Sequence, residues 1–344
     1  MSADDDLKVS PAKECRILPD VVARSAGGLT IRLAPPCMKP VNSESGRELL
    51  KGVSRSFYLT LRLVPGPMRD AASLGYLLAR TSDTLADSVS APFELRSVSL
   101  EQFAAAANGD GETPRWPAAI INATADPRER RLLERSGEIL EWLRRLPAAE
   151  AILVREVLAV IISGQILDLQ RFREASKTCP VVLPDDAALG DYAWRVAGCV
   201  GAFWTKLGFL TLGDDFSSAP ESELLDRGIT YGRGLQLVNI LRDLPADLAT
   251  GRCYLPVADP HDLAALMECH ARWLRRAGEW VAEGEIYAKA LHTRRLRGAT
   301  VLPGLIARKT LKSLEGVTWE GLRSRIKIPR REVYRSLVHA CFLR

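Results

Sequence analysis

The sequence predicts a single all-α domain, on three observations. Apolar residues recur at spacings of three and four from Glu44 onward, the breaks fall at proline, glycine or Asp/Asn clusters, and no run of alternating β-branched residues interrupts the pattern. The first helical stretch carries Leu49, Leu50 and Val53, with Phe57 after it, and the next carries Leu74, Leu77, Leu78, Thr81 and Leu85. The period then persists through residues 128–146, 149–173, 185–212, 221–248 and 261–292. Between the two helical groups, Ala105 to Pro117 turns into Asn-Gly-Asp-Gly-Glu-Thr-Pro, which is turn chemistry and predicts an exposed loop. Long helices joined by short turns argue against a doubly wound sheet, and no repeat at a solenoid period is present.

Three segments follow from this pattern. Residues 1–43 hold Gly27-Gly28, Pro35-Pro36 and Lys39-Pro40 without a sustained period, and read as an irregular extension. Residues 44–292 form the helical domain. Residues 293–344 form a basic segment packed on that domain or continuing it: thirteen lysines and arginines stand there against three glutamates, so a chain of net charge +5 is acidic over the rest of its length.

The composition narrows the classes further. At 344 residues and 47% hydrophobic content the chain can bury a large core, and 26% charged residues with scattered glycine and proline exclude collagen-like and disordered classes. Seven dispersed cysteines without a C-x-x-C pair argue against a disulfide framework or a zinc ribbon. No secretory leader is legible, and Asp4, Asp5 and Asp6 stand near the start, which points to the cytoplasm. The apolar windows 151–169 and 196–212 are interrupted by Arg155, Glu156, Asp168 and Lys206, so neither is read as a bilayer span. The basic segment admits two readings, a solvated helix face or peripheral contact with an anionic membrane surface. Nucleic acid is excluded as a partner, because the basic residues lack interleaved aromatics and a recognition motif.

The chemistry is carried by two acidic pairs. Asp83 and Asp87 stand four apart on one helix face after Tyr76 and Arg80, and two like charges facing a core require a positive partner, either Arg80 or a divalent cation. Alone, such a pair is an ordinary solvated face. The same spacing recurs about 160 residues later at Asp243 and Asp247, with Asn239 a further turn back and Gln236 before it. Three hard oxygen donors on one face suit Mg²⁺, which keeps waters and substrate phosphates as its other ligands. Arg252, with Ser54, Arg55 and Ser56, offers a guanidinium fork and hydroxyls for phosphate oxygens. The four histidines form no zinc or triad motif, and no G-x-G-x-x-G follows a predicted strand.

In these stretches the chain resembles the squalene and phytoene synthase family. The matching residues are Ser54-Arg55-Ser56-Phe57, Tyr76 through Arg80 to Asp87, Tyr192 to Gly201, and above all Gly234 through Gln236, Asn239, Arg242, Asp243 and Asp247 to Gly251-Arg252-Cys253-Tyr254-Leu255-Pro256. They span roughly residues 45–290. The resemblance implies an isoprenoid-synthase helical bundle around a central cavity and a head-to-head condensation of two prenyl diphosphates. Asp83, Asp87, Asn239, Asp243 and Asp247 then match the magnesium ligands. Ser54, Arg55, Ser56, Phe57, Tyr76, Gln236 and Arg252 match substrate contacts, and Tyr192, Tyr254 and Arg80 match catalytic positions. Phe57, Tyr58, Phe203 and Trp204, with the small Gly198 and Gly201, are expected to wall an allylic cation away from water.

Ala86 and Ala246 stand where several relatives carry a glutamate, and Pro245 is expected to kink the second acidic helix. The run Ser54 to Thr60 and the end Ile328-Pro329-Arg330-Arg331-Glu332-Val333 resemble bacterial squalene synthases, which implies two farnesyl diphosphates condensed through presqualene diphosphate to squalene, with NADPH as hydride donor. A phytoene or dehydrosqualene synthase would need no reductant, a further variant stops at presqualene diphosphate, and a non-catalytic assembly factor would not need the aspartates.

Overall fold

Among the described residues, the first helix starts where the period starts. The computed structural model describes residues 44–54, 57–324 and 326–342; the extension read for residues 1–43 lies outside them, as do Arg55 and Ser56. The first half is built from α1 (Glu44–Val53), α2 (Phe57–Leu63), α3 (Gly66–Ala86), α4 (Phe93–Asn108), α5 (Ala118–Ala123), α6 (Pro127–Glu134), α7 (Ser136–Arg145) and α8 (Ala148–Arg171). Helix α4 stops at Gly109 with φ 92°, inside the predicted loop. The core of this half joins Leu74, Leu77 and Leu78 of α3 with Val154, Leu158 and Ile161 of α8. Those α3 residues leave a second stripe, Tyr76, Arg80, Asp83 and Asp87, on a different face of the same helix.

The second half holds α9 (Asp186–Ala193), α10 (Cys199–Leu212), α11 (Glu221–Ala249), α12 (Leu263–Ala290), α13 (Arg294–Leu314), α14 (Trp319–Arg323) and α15 (Arg330–Phe342). Side-chain caps fix several starts: Asp185 accepts from the Ala188 N–H, Asp262 from Ala264 and Ala265, and Thr293 from Leu296. Leu237, Val238, Leu241 and Leu244 of α11 share a core with Trp273, Ala277 and Val281 of α12. In the basic segment, α13 lies against α12 and α2, and α15 against α13.

Helices α10 and α11 cross closely because both are glycine at the crossing. A Cβ on Gly201 would lie 1.9 Å from the Gly228 carbonyl oxygen, and one on Gly228 would lie 2.9 Å from that of Gly201. This approach places the second acidic helix beside α10 and the π turn before it, which carries Val196.

Two local features depart from the predicted pattern. Helix α9 does not run straight into α10, because Trp194–Gly198 forms a π turn. Such a turn shifts the side chains before it relative to those after it. A two-residue parallel strand pair also forms, β1 (Val181–Val182) with β2 (Arg252–Cys253), Val181 opposite Arg252. Two residues carry no period, so only the packing of two connections makes the pair. Helix α11 continues through Pro245 to Ala249.

The run Asp186–Asp215, read from sequence as interrupted by Lys206, is long and apolar enough by length and composition to cross a bilayer, with 33% of its most apolar window buried. Within it, α10 packs against α11, α8 and α3.

Candidate active site

The α3 stripe and the α11 stripe meet around Arg252. Asp83 accepts from the Gln165 amide at 2.6 Å and lies 3.9 Å from Arg80, whose guanidinium also bonds Glu129. The Asp83 side chain keeps 44% of its exposure, yet it faces a walled cleft, so its pKa is pushed up to about 6 by desolvation first and the neighbouring Asp87 second. Asp87 is raised as well, by desolvation, against the opposing pull of Arg252 and Arg80.

Asp247 is pushed up to about 7, by desolvation, then by repulsion from Asp243, with Asp168 and Asp87 adding to it and Arg252 opposing. Asp87 of the first motif is thus among the charges that raise Asp247 of the second. Asp243 is held by its neighbour Arg242, whose Nε donates to it at 2.9 Å, and Asn239 is exposed.

Arg252 owes its place to the strand pair and to one glycine. Gly251 has φ 84°, and a Cβ there would lie 2.4 Å from backbone atoms of Ser176, so the chain can turn and press against that loop only without a side chain. Arg252 then reaches to 3.7 Å from Asp168, and Tyr254, two residues on, donates its hydroxyl to Asp168 at 2.9 Å. Tyr192 stacks on Tyr254 with ring centroids 4.8 Å apart. Asp168 is pushed up to about 6, chiefly by burial, and its Oδ1 has no hydrogen-bond partner.

These groups line a cavity of about 250 Å³: Asp83, Asp87, Gln165, Asp168, Tyr192, Gln236, Arg252 and Tyr254 are in its wall, with Val196. Val196 also lines an apolar cavity of about 180 Å³, walled by Phe57, Val200, Gly201 and Trp204 among others. A third hollow of about 100 Å³, lined by Phe57, Tyr76 and Phe203, shares Val200 and Trp204 with the second. A charged chamber thus adjoins greasy ones, the arrangement needed for a ligand with an anionic head and an apolar tail.

The fit to a divalent cation can be judged from the donor set. Hard carboxylate oxygens of Asp83, Asp87, Asp168 and Asp247, all four with raised pKa, gather near Arg252, and no three His, Cys, Asp or Glu side chains among the described residues form a cage. Mg²⁺ takes one or two carboxylates and completes its shell with waters and phosphate oxygens, so the set fits it.

Some sequence-predicted residues sit elsewhere. The Ser54 hydroxyl donates to the Leu50 carbonyl of its own helix and is absent from the charged wall. Tyr76 donates to the Val53 carbonyl at 3.2 Å and stacks on Phe57 at 4.9 Å, which places it with the apolar hollows. Sequence reasoning missed Gln165, Asp168, Glu129 and Arg96, the last donating to the Ala86 carbonyl at 3.0 Å beside Asp87. For Asp168 the signal is in the sequence: it interrupts an apolar window, and a lone carboxylate in such a stretch is costly unless it has a task.

The chain is similar to several known proteins. A family model for squalene/phytoene synthase matches residues 50–332. The presqualene diphosphate synthase of Zymomonas mobilis is 28% identical, over 86% of this chain and 92% of that protein. The bifunctional lycopene cyclase/phytoene synthase of Phaeosphaeria nodorum is 31% identical over 60% of this chain, which spans only 33% of that longer protein. The structure of TcSQS with a bound ligand shares the fold, with TM-score 0.71 at 22% identity, covering 86% of this chain and 84% of that one.

Proposed function

The chain belongs to the squalene/phytoene synthase family of prenyltransferases, and on that premise we propose that it joins two farnesyl diphosphates head to head into presqualene diphosphate. What carries this reading is the charged chamber around Arg252 opening, at Val196, onto apolar hollows. The presqualene diphosphate synthase matched over 92% of its length favours a product that keeps one diphosphate; reduction onward to squalene would need a hydride from NADPH.

In the proposed step the C1–O bond of one substrate breaks and its electron pair leaves with diphosphate. C1 then bonds to the C2=C3 double bond of the second substrate, and loss of a proton from C1 closes a cyclopropane. Two prenyl diphosphates give one presqualene diphosphate, one inorganic diphosphate and one proton.

The chain's residues serve these events separately. Arg252 and Arg80 meet the negative charge that develops on the departing group, and preorganised charge of this kind is worth about 10²–10³ in rate. Mg²⁺, held by Asp83, Asp87, Asn239, Asp243 and Asp247, supplies further positive charge to that group when bound. Phe57, Val200 and Trp204 keep water from the cation. Tyr254 and Asp168 stand together in the chamber wall, joined by the Tyr254 hydroxyl, so the released proton can be taken, directly or through that hydroxyl, by a carboxylate whose pKa of about 6 suits it to hold one.

The test is incubation of the purified protein with farnesyl diphosphate and Mg²⁺, with and without NADPH. Presqualene diphosphate and inorganic diphosphate in equal amounts are expected in both. Squalene as the product with NADPH would replace this reading with the reductive one, and absence of any condensation product would overturn both.

A further inference from the structure

Pro245 lies between the two aspartates of α11. In a helix the carbonyl of each residue accepts from the N–H four residues on, and proline has none, so the Leu241 carbonyl has lost its partner. Leu241 and Leu244 are 0% and 1% exposed, so water has no access to that turn on its core side. A buried carbonyl left unpaired has lost its water without gaining a partner, which destabilises the turn that carries it. His270 of α12, itself 2% exposed, places Nε2 3.2 Å from the Leu241 oxygen. A carbonyl only accepts, so Nε2 carries the hydrogen and donates it.

We propose that His270 is a positioning residue for the acidic face of α11: it supplies from the neighbouring helix the hydrogen bond that Pro245 cannot, and so keeps Asn239, Asp243 and Asp247 in helical register. Without it, the turn between Leu241 and Pro245 has no bond holding its carbonyl inward, and Asp247 is free to rotate away from Asp87 and Arg252. The inference rests on the reading of those carboxylates as a cation and diphosphate site, and it goes beyond that reading by giving the register a cause in α12.

Because the missing donor is the backbone N–H of one residue, the idea is tested by restoring it. Binding of Mn²⁺ in the presence of inorganic diphosphate is followed by electron paramagnetic resonance on the full chain, with melting midpoints recorded alongside. His270→Phe, which fills the space without a donor, is expected to weaken Mn²⁺ binding about tenfold, and His270→Gln to recover most of that. In a Pro245→Ala background, where α11 regains its own N–H, His270→Phe is expected to change binding less than about twofold. An equal loss in both backgrounds, or a lowered melting midpoint with Mn²⁺ binding unmoved, overturns the proposal. Should His270→Phe alone not fold, rescue of folding by Pro245→Ala reads the same coupling, and no rescue overturns it. A wild-type chain that binds no Mn²⁺ with diphosphate would remove the cation site itself, and this inference with it.

Discussion

Asp247 and Asp168 are carboxyls that the fold holds protonated more readily than water would, at about 7 and about 6. For Asp247 the ionised form is opposed by its own desolvation and by Asp243, so removing the charge should stabilise the protein while removing a proposed ligand. Asp247→Asn is expected to raise the melting midpoint by about 1–2 °C, the shift that about 1 kcal/mol gives in a protein of this size, and to lower turnover by about 10²-fold or more. A variant that loses both stability and activity would show Asp247 to be structural. Asp168→Asn keeps an acceptor for the Tyr254 hydroxyl but not a site for the proton. Turnover with farnesyl diphosphate is expected to fall by about 10²-fold, with KM within a few-fold; an unchanged kcat would remove Asp168 from the proton path.

At the level of elements, the site is set by how closely α10 approaches α11. The first acidic pair stands on α3, Gln165 and Asp168 on α8, and the second pair on α11, while the π turn and α10 wall the gap between charged and apolar chambers. Gly201→Ala would drive a methyl carbon to 1.9 Å from the Gly228 carbonyl, a backbone atom that cannot rotate aside. Overpacking of this kind costs about 1–3 kcal/mol. Chemical denaturation should show that loss together with reduced activity, because the strain is relieved only by separating α10, which follows the turn carrying Val196, from the helix of the second acidic pair. Gly278, with open space around its missing Cβ, is the control, and its alanine variant should leave activity as it is.

Across the whole molecule, the raised carboxyls make stability depend on pH in a fixed direction. A carboxyl whose pKa is higher in the fold than its unfolded value near 4 binds its proton more tightly when folded. Its contribution is greatest below that unfolded value and declines as pH rises through the folded one. Asp83 and Asp168 at about 6 and Asp247 at about 7 therefore predict a melting midpoint that falls between about pH 5 and pH 7.5. The lowered carboxyls, such as Asp186 beside Arg272, act below that window. Adding Mg²⁺ with inorganic diphosphate should recover the loss at pH 7.5 and do little at pH 5. A midpoint that is flat over this range, or that responds equally to Mg²⁺ at both ends, would separate these carboxyls from cation binding.

The sequence by itself determined the helices and the pairs within them. The period of three and four placed α8, α11 and α12 to within a few residues, and i, i+4 spacing put Asp83 with Asp87 and Asp243 with Asp247, because both depend on contacts inside one helix. Whatever depended on contacts between distant segments was decided by the tertiary structure alone. The two-residue strand pair that sets Arg252, the π turn after Tyr192, the Gly201–Gly228 crossing and the donation from His270 to Leu241 leave no period to read. The same reason explains Asp168, which along the chain is one charge in an apolar run and in three dimensions is the partner of Tyr254 and Arg252.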